Sequence, residues 1–290
     1  MSKVSIIVPN HNYGKYIHET IESIISQSYK DIELIIVDDA SIDNSKDVIL
    51  DYAESDSRII PLILEKNIGV SAALNKGIKI ASGDYVCFIA SDDLMERCRI
   101  EKQVKFLNNN VDVDVLSGCY IEFFENQTVH SRLHGYKKNG LVVNNSERGC
   151  VFEACTAMFK LKTIIHIGMF YDGIKCEDWY MQLKLKEFNS TIHHMNSLNT
   201  FKRTHDKNSH LQFSESIDDK LKISNMFPKW KKNLITSSIR QEQFKFIKSH
   251  QYIKTFKYFF YSFPYGIRAY MLPQLIKTLC ATIFFDFKKK

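Results

Sequence analysis

The chain has 290 residues, 44% of them hydrophobic, and a formal net charge of +6. That length suits one large α/β domain, or one domain with an appendage. Seven cysteines, odd in number and without C-x-x-C spacing, exclude a disulfide framework and a zinc site and fit reduced cytosolic thiols. No run of 18 apolar residues occurs, and Met1-Ser2-Lys3 leads straight into the first apolar run, so neither a membrane span nor a secretion signal is expected. The charge is uneven. Residues 229–290 hold thirteen Lys or Arg against two acidic residues, a net +11, together with 15 of the 36 aromatics, and the rest of the chain carries −5.

In chain order, residues 4–8 read as a buried strand ended by Pro9, followed by the polar turn Asn10-His11-Asn12-Tyr13-Gly14. Tyr16, Ile17, Thr20, Ile21, Ile24 and Ile25 recur at helical spacing and predict a helix over 15–28. Residues 32–37 form a second strand that runs into Asp38-Asp39, and Asp43-Asn44-Ser45 can cap a helix reaching about residue 52. A third strand over 59–64, a loop at Glu65-Lys66-Asn67-Ile68-Gly69 and a helix over 70–80 come next. After Gly83, a strand rich in β-formers runs from Asp84 into Ala90-Ser91-Asp92-Asp93. Strands alternating with helices predict βαβ units and a parallel sheet with right-handed crossovers.

A helix over about 96–110 and a strand at 113–121 follow, whereas 122–150 carries no clear pattern. Residues 155–159 read as a strand, 170–173 as a turn and 177–188 as a helix, and 206–228 is polar without a period. Residues 252–270 interleave Lys and Arg with rings, a second apolar stretch spans 272–285, and the chain ends in Lys288-Lys289-Lys290. That composition fits an interfacial helix on anionic lipid. It also fits a helical appendage packed on the body, or one that pairs two copies into a homodimer. A nucleic-acid patch would share the composition, but no nucleic-acid module accompanies it.

Two strands thus end in acidic pairs, Asp38-Asp39 and Asp92-Asp93, and in a parallel sheet both pairs face the carboxyl edge, where open α/β sheets bind ligands. Oxygen ligands there suit Mg²⁺ or Mn²⁺ bridged to substrate phosphates. A carboxylate can also accept the imide N–H of a uracil ring. The plainer alternative for Asp92 is a helix cap. Neither GxxxxGK[ST] nor GxGxxG occurs, so a P-loop and a dinucleotide fingerprint are excluded.

Five stretches in order resemble family 2 glycosyltransferases of the GT-A fold: Val4 to Tyr13, Ile35-Ile36-Val37-Asp38-Asp39-Ala40-Ser41-Ile42-Asp43, Asn67 to Asn75, Ser91-Asp92-Asp93 and Glu177-Asp178-Trp179. The resemblance covers about residues 3–205. It implies a Rossmann-like, mostly parallel sheet flanked by helices, with residues 1–95 as the nucleotide-binding half, 96–205 as the acceptor-binding half and 206–290 as a helical C-terminal region. It implies that Pro9 and Asn12 wall the nucleotide pocket and that Asp39 holds the uracil edge. Asn67 and Asn75 would lie along the nucleotide, and Asp92 near the ribose. Asp93 and His205 would lie on a Mn²⁺ or Mg²⁺ ion, and Asp178 would be the general base. The reaction implied is an inverting transfer from a nucleotide-diphosphate sugar, a UDP-sugar, to a hydroxyl of a glycan or lipid-linked saccharide in cell-surface polysaccharide or lipooligosaccharide synthesis, on the cytoplasmic face of the membrane. One departure is Ala90, where many members carry the first Asp of Asp-x-Asp.

Structural readings stand beside these. Asp38 can be a cap, Glu177 a helix-start residue or the base in place of Asp178, and His205 a surface histidine. Trp179 reads as core or an acceptor platform, and His193-His194 as structural because i, i+4 spacing is lacking. Cys155 and Cys176 have no paired base. A sugar nucleotidyltransferase should show a Gly-rich loop after the first strand, which is missing, and a non-catalytic nucleotide-sugar-binding module would not need Asp39, Asp92, Asp93 and Asp178 together.

Overall fold

The computed structural model describes residues 2–125, 132–136, 139–148, 150–174, 176–205 and 216–235. The basic, aromatic segment over 236–290 lies outside the described residues. The chain divides into two compact units, a larger one, Met1–Ser146 with Cys150–Leu211, and a smaller one, Glu147–Gly149 with Gln212–Lys290.

In the larger unit the strands are β1 (Val4–Asn10), β2 (Ile32–Asp38), β3 (Ile59–Ile63), β4 (Tyr85–Phe88), β5 (Leu94–Met95), β6 (Val115–Phe124), β7 (Arg132–His134), β8 (Gly140–Leu141), β9 (Met158–Lys160) and β10 (Ile192–Thr204). They form one sheet of order β3-β2-β1-β4-β9-β6-β10-β5, with β7 added on β6 and β8 on β10. The first four pair in parallel, as alternating strands and helices require, and β6 and β10 are also parallel. The helices are α1 (Ile17–Ile25), α2 (Ser45–Ser55), α3 (Val70–Ile80), α4 (Arg99–Asn109), α5 (Leu161–His166) and α6 (Glu177–Glu187). Two apolar layers result. Val4, Ile6, Val8, Leu34 and Ile36 pack with α1 residues Ile17, Ile21 and Ile24, while Ile7, Ile35, Val37, Val86 and Phe88 pack with Ala73, Leu74 and Ile78 of α3. This is the period-2 alternation of a sheet covered on both faces.

Several expectations change. β1 continues through Pro9 to Asn10. Ile89 donates to the Ile7 carbonyl, so odd residues of β1 face β4. Register pairing of β1 with β4 ends at Ile7, so the missing N–H of Pro9 costs no bond in that ladder. Asp92 caps no helix: β5 follows the Asp pair and α4 starts only at Arg99. Residues 154–156 are a 3₁₀ turn, and the strand there is β9. The 13-residue β10 was not expected, because register shifts between His194 and Thr200 break its alternation. His194 is buried in β10, with Nδ1 3.0 Å from Ser117 Oγ and Nε2 3.2 Å from Asn196 Oδ1. In the smaller unit, the segment read as aperiodic contains α7 (Ser216–Met226), followed by a turn at Pro228–Trp230.

A buried arginine fixes β10 in the larger unit. Arg99 Nη1 donates to the Cys155 carbonyl at 2.7 Å and to Thr200 Oγ1 at 3.0 Å, and Nη2 donates to the Ala157 carbonyl at 3.1 Å. Its Nε–H donates to Gln103 Oε1 at 3.0 Å. With four of its five N–H donors on oxygens and no exposure to solvent, the guanidinium ties α4, the 154–157 turn and β10 together.

Candidate active site

β2 and β4 flank β1 in parallel, so Asp38-Asp39 and the turn carrying Asp92-Asp93 reach the same carboxyl edge. All four carboxylates are buried. Asp38 is a structural member: Oδ1 accepts the Ser41 N–H at 2.9 Å, and Oδ2 accepts the Ser41 hydroxyl at 2.6 Å and an Asn10 amide hydrogen at 2.7 Å. Asp39 holds the next loop. Its two oxygens accept the N–H groups of Ile68 at 2.7 Å and Gly69 at 2.8 Å. One acceptor site remains on each oxygen. Gly69 sits at φ +86°, where a side chain would be strained.

Ala40, next to Asp39, is at φ +57°, and Asn12 at φ +62°. Positive φ costs a non-glycine residue about 1 kcal/mol or more, so this turn is held by its neighbours. Asn12 supplies part of that hold. Its Oδ1 accepts the Ile42 N–H at 2.8 Å and its own N–H donates to Ser41 Oγ at 2.9 Å. His11 Nδ1–H donates to the Asp39 carbonyl at 2.8 Å. Asn67 Oδ1 accepts the Gly69 N–H at 3.1 Å. Asn75 is used by the fold: its amide hydrogens go to the Phe170 carbonyl at 2.8 Å and Asp172 Oδ1 at 2.9 Å, and its Oδ1 accepts the Phe170 N–H at 3.0 Å. It latches α3 to the loop that precedes α6.

The end of β10 closes on the second acidic pair. His205 Nε2 lies 3.0 Å from Asp92 Oδ2. Its ring stacks on Tyr16, with centroids 4.9 Å apart and planes at 21°, and meets Tyr13 edge-on. His205 is buried rather than a surface residue. Arg203 donates its backbone N–H to Asp93 Oδ1 and its Nε–H to the Asp92 carbonyl, both at 2.9 Å, and Nη2 reaches Glu19 at 2.8 Å. The guanidinium lies between the rings of Tyr16 and Phe123, at 5.0 and 4.8 Å. Burial, and then the charge of Asp92, push Asp93 up to about 7. Burial and Asp92 likewise hold the Tyr13 phenol up at about 12, so it stays a donor.

Among the described residues no three His, Cys, Asp or Glu side chains converge as a metal cage, and His205 pairs with Asp92 rather than with Asp93. Mg²⁺ and Mn²⁺ do not need a protein cage. They keep several waters and take one or two carboxylates plus phosphates. Two adjacent buried carboxylates, one raised well above its ordinary value by the other and by burial, are a donor set that such a dication fits.

Asp178 occupies the first turn of α6, where the helix dipole favours a carboxylate. Water reaches it, yet the protein around it, and after that the charge of Glu153, push it up to about 6, while Lys202 acts the other way. Trp179 is core: it is buried, and its indole N–H donates to the Ser146 carbonyl at 2.6 Å, anchoring the start of the helix. Lys202 interacts electrostatically with both Asp93 and Asp178 and so links the two acidic centres. Sequence reasoning missed Lys202, Arg203, Tyr16 and Glu153. For Lys202 and Arg203 the signal was the unrecognised strand β10, whereas Tyr16, just before α1, and Glu153, just before the 154–156 turn, carried no local signal.

The Glycosyl transferase family 2 model matches residues 5–164. The chain is 41% identical over 104 residues, 36% of this chain and 41% of the relative, to the "Putative teichuronic acid biosynthesis glycosyltransferase TuaG" of Bacillus subtilis. It is 38% identical over 125 residues to "Glycosyltransferase GlyA" of Streptococcus pneumoniae, 43% of this chain and 18% of that one. The matches thus span about two fifths or less of these relatives' lengths. Among solved structures, S. aureus TarS 1-349 in complex with UDP-GlcNAc aligns with a TM-score of 0.65 at 19% identity, over 96% of this chain and 79% of that one. Mannosyltransferase PcManGT from Pyrobaculum calidifontis, in complex with GDP-Man and Mn²⁺, aligns at 0.62 and 16%, over 97% and 87%. At these identities the structural likeness speaks for the fold alone, and that fold is GT-A.

Proposed function

Because the chain belongs to glycosyltransferase family 2, we propose that it moves a sugar, with inversion, from a nucleotide-diphosphate donor to a hydroxyl of a glycan or lipid-linked saccharide. The observation that carries this is the buried Asp92–Asp93 pair, locked to the end of β10 by Arg203 and His205 and linked through Lys202 to the solvent-reached carboxylate Asp178. Residues 1–95 serve the nucleotide and 96–205 the acceptor. A UDP-sugar is favoured by the acceptor sites left on Asp39, which can take the uracil imide N–H. The TarS relative was solved with UDP-GlcNAc. The teichuronic acid relative points to a cell-surface polysaccharide.

Asp39 and the 67–69 loop hold the base, and the Tyr13 phenol is a donor near Asp92. Asp93 and Asp92 would hold a Mn²⁺ or Mg²⁺ ion, which would neutralise charge gathering on the diphosphate. Asp178 removes the proton from the acceptor hydroxyl as its oxygen bonds to the anomeric carbon. The bond from that carbon to the diphosphate oxygen breaks, and its electron pair leaves with the nucleoside diphosphate. Attack from the opposite face inverts the centre.

Titration of the full chain with UDP, with and without Mn²⁺, followed by a screen of UDP-sugars for transfer and slow hydrolysis, tests this. Tight Mn²⁺-dependent UDP binding with donor turnover supports it. Binding without turnover would make the chain a nucleotide-sugar-binding module, and sugar-1-phosphate consumption a nucleotidyltransferase. The net +11 over 229–290 adds that the chain docks on the inner leaflet of the membrane. Flotation with anionic vesicles, lost on truncation after Pro228, supports that. A change of mass on truncation instead would make the tail a dimer contact.

A further inference from the structure

Tyr16 is buried, yet it joins neither apolar layer of the sheet. It stands just before α1, where the N–H groups of Tyr16 and Ile17 both donate to the Tyr13 carbonyl, at 2.9 and 3.0 Å. Its ring meets charged and aromatic groups. His205 stacks on it, the Arg203 guanidinium lies 5.0 Å from its centre, and Tyr13 tilts against it at 6.2 Å. Its hydroxyl donates to Glu125 Oε2 at 2.8 Å and accepts from Lys15 Nζ at 3.3 Å, and Lys15 is itself paired with Glu125. Filling space does not call for such partners. Ile17, Ile21 and Ile24 do that work on the buried face of α1.

The spacing makes this ring part of a wall. Tyr16, Glu19 and Thr20 stand at i, i+3 and i+4 and so share one side of the helix start. All three touch the acidic turn or the strand end that holds it. Glu19 accepts from Arg203 Nη2 at 2.8 Å, and the Thr20 hydroxyl donates to the Asp93 carbonyl at 2.9 Å. Tyr16 takes the imidazole. The second torsion of a histidine is broad, so one hydrogen bond does not define its plane. The 3.0 Å contact from Nε2 to Asp92 Oδ2 fixes one atom of His205, and the rings against it fix the rest: Tyr16 on its face and Tyr13 on its edge. Glu125, just past the end of β6, fixes Tyr16 in turn. The contacts run in series through Glu125, Tyr16, His205 and Asp92.

A dication of the Mg²⁺ or Mn²⁺ type takes oxygen ligands in an octahedral arrangement, and Mg²⁺ tolerates little departure from it. Groups one step outside the ligands set the directions of those oxygens, and losing such a group typically costs about 10–100-fold in metal affinity. We propose that Tyr16 is a positioning residue for the acidic pair: its ring holds the His205 imidazole in one plane, so that Asp92 presents its carboxylate in one direction, and Glu125 holds the ring. The proposal rests on the metal-dependent glycosyltransferase reading above.

Titration of the full chain with UDP at stepped Mn²⁺ concentrations tests it. In Tyr16→Leu the Mn²⁺ concentration that gives half of the gain in UDP affinity rises about 10–100-fold. UDP affinity without metal stays as in the wild type, which a general loss of packing does not allow. Tyr16→Phe keeps the ring and restores the wild-type requirement. In a His205→Ala background Tyr16→Leu adds little, because both changes remove the same link. An unchanged Mn²⁺ requirement in folded Tyr16→Leu overturns the proposal, and so does full additivity with His205→Ala. Should Tyr16→Leu fail to fold, proton NMR of the wild type decides. The His205 ring lines, identified by their absence in His205→Ala, lie upfield under the Tyr16 ring current, and lines at the position of an exposed histidine overturn the proposal. Wild-type UDP binding and donor turnover that ignore Mn²⁺ overturn it and leave the glycosyltransferase reading standing. Failure to bind UDP overturns both.

Discussion

The backbone N–H of Arg203 donates to Asp93 Oδ1 at 2.9 Å. The last residues of β10 and the turn after β4 therefore move as one body, although 110 residues separate them in sequence. Because that bond needs only an acceptor oxygen, Asp93→Asn keeps it while removing one of two crowded buried charges. We expect the variant to melt at or above the wild-type temperature, since burial and Asp92 both penalise the Asp93 carboxylate. It should lose the Mn²⁺-dependent gain in UDP affinity and essentially all transfer. EDTA should do the same to the wild type, and full transfer in EDTA would remove the metal from the scheme.

Asn75 separates two roles that look alike in sequence. Its three hydrogen bonds to Phe170 and Asp172 are buried or partly buried. Asn75→Ala leaves the Phe170 N–H and carbonyl without these partners and should cost about 2–3 kcal/mol of stability. Thermal melts read this directly, while UDP affinity of the folded variant should stay near the wild-type value. A collapse of UDP affinity without a lower melting temperature would mean that the amide serves the nucleotide.

The first half of the chain was legible because each strand is a short apolar run closed by a polar turn. β2 ends at its acidic pair, and the pair after β4 follows within a few residues. Residues 113–205 were harder. Strand β10 joins the sheet through register shifts between His194 and Thr200, so no single period marks it. Its functional residues, Lys202 and Arg203, act through long-range contacts with Asp93, Glu153 and Glu19 that no local pattern encodes. Asp39 was legible as a site carboxylate, but its grip on Ile68 and Gly69 depends on a loop 29 and 30 residues downstream.

Acid stability has a specific anchor outside the site. Glu33 is buried in β2, which pushes its carboxyl up, but Lys3, the Ser5 hydroxyl, and the N–H and hydroxyl of Ser82 outweigh burial and hold it at about 2. Its folded value is thus below the unfolded value of about 4.3. The stabilisation is complete above about 4.3 and is lost as pH falls from there toward about 2. Glu33→Gln should be less stable than the wild type at neutral pH, and the gap should close across that window in urea melts. A constant gap from neutral pH to about 2 would show that Glu33 contributes by shape alone.

The base offers the sharpest pH test. The protein packed around it, then the charge of Glu153, hold the solvent-reached Asp178 carboxyl up at about 6, and Lys202 opposes them. A base works ionised, so transfer should be full above about 6 and fall about tenfold per unit below it. Asp178→Asn should lower kcat by about 10²–10⁴-fold with UDP affinity kept. Removing the opposing cation in Lys202→Met should move the acid limb to higher pH, because Asp178 then loses the charge that favours its ionised form. Any loss of packing would lower kcat without moving the limb, so the two effects separate in one profile. If the limb stays in place in Lys202→Met and Asp178→Asn retains turnover, the proton goes elsewhere, and Glu177, the neighbouring acid in the first turn of α6, becomes the base to test.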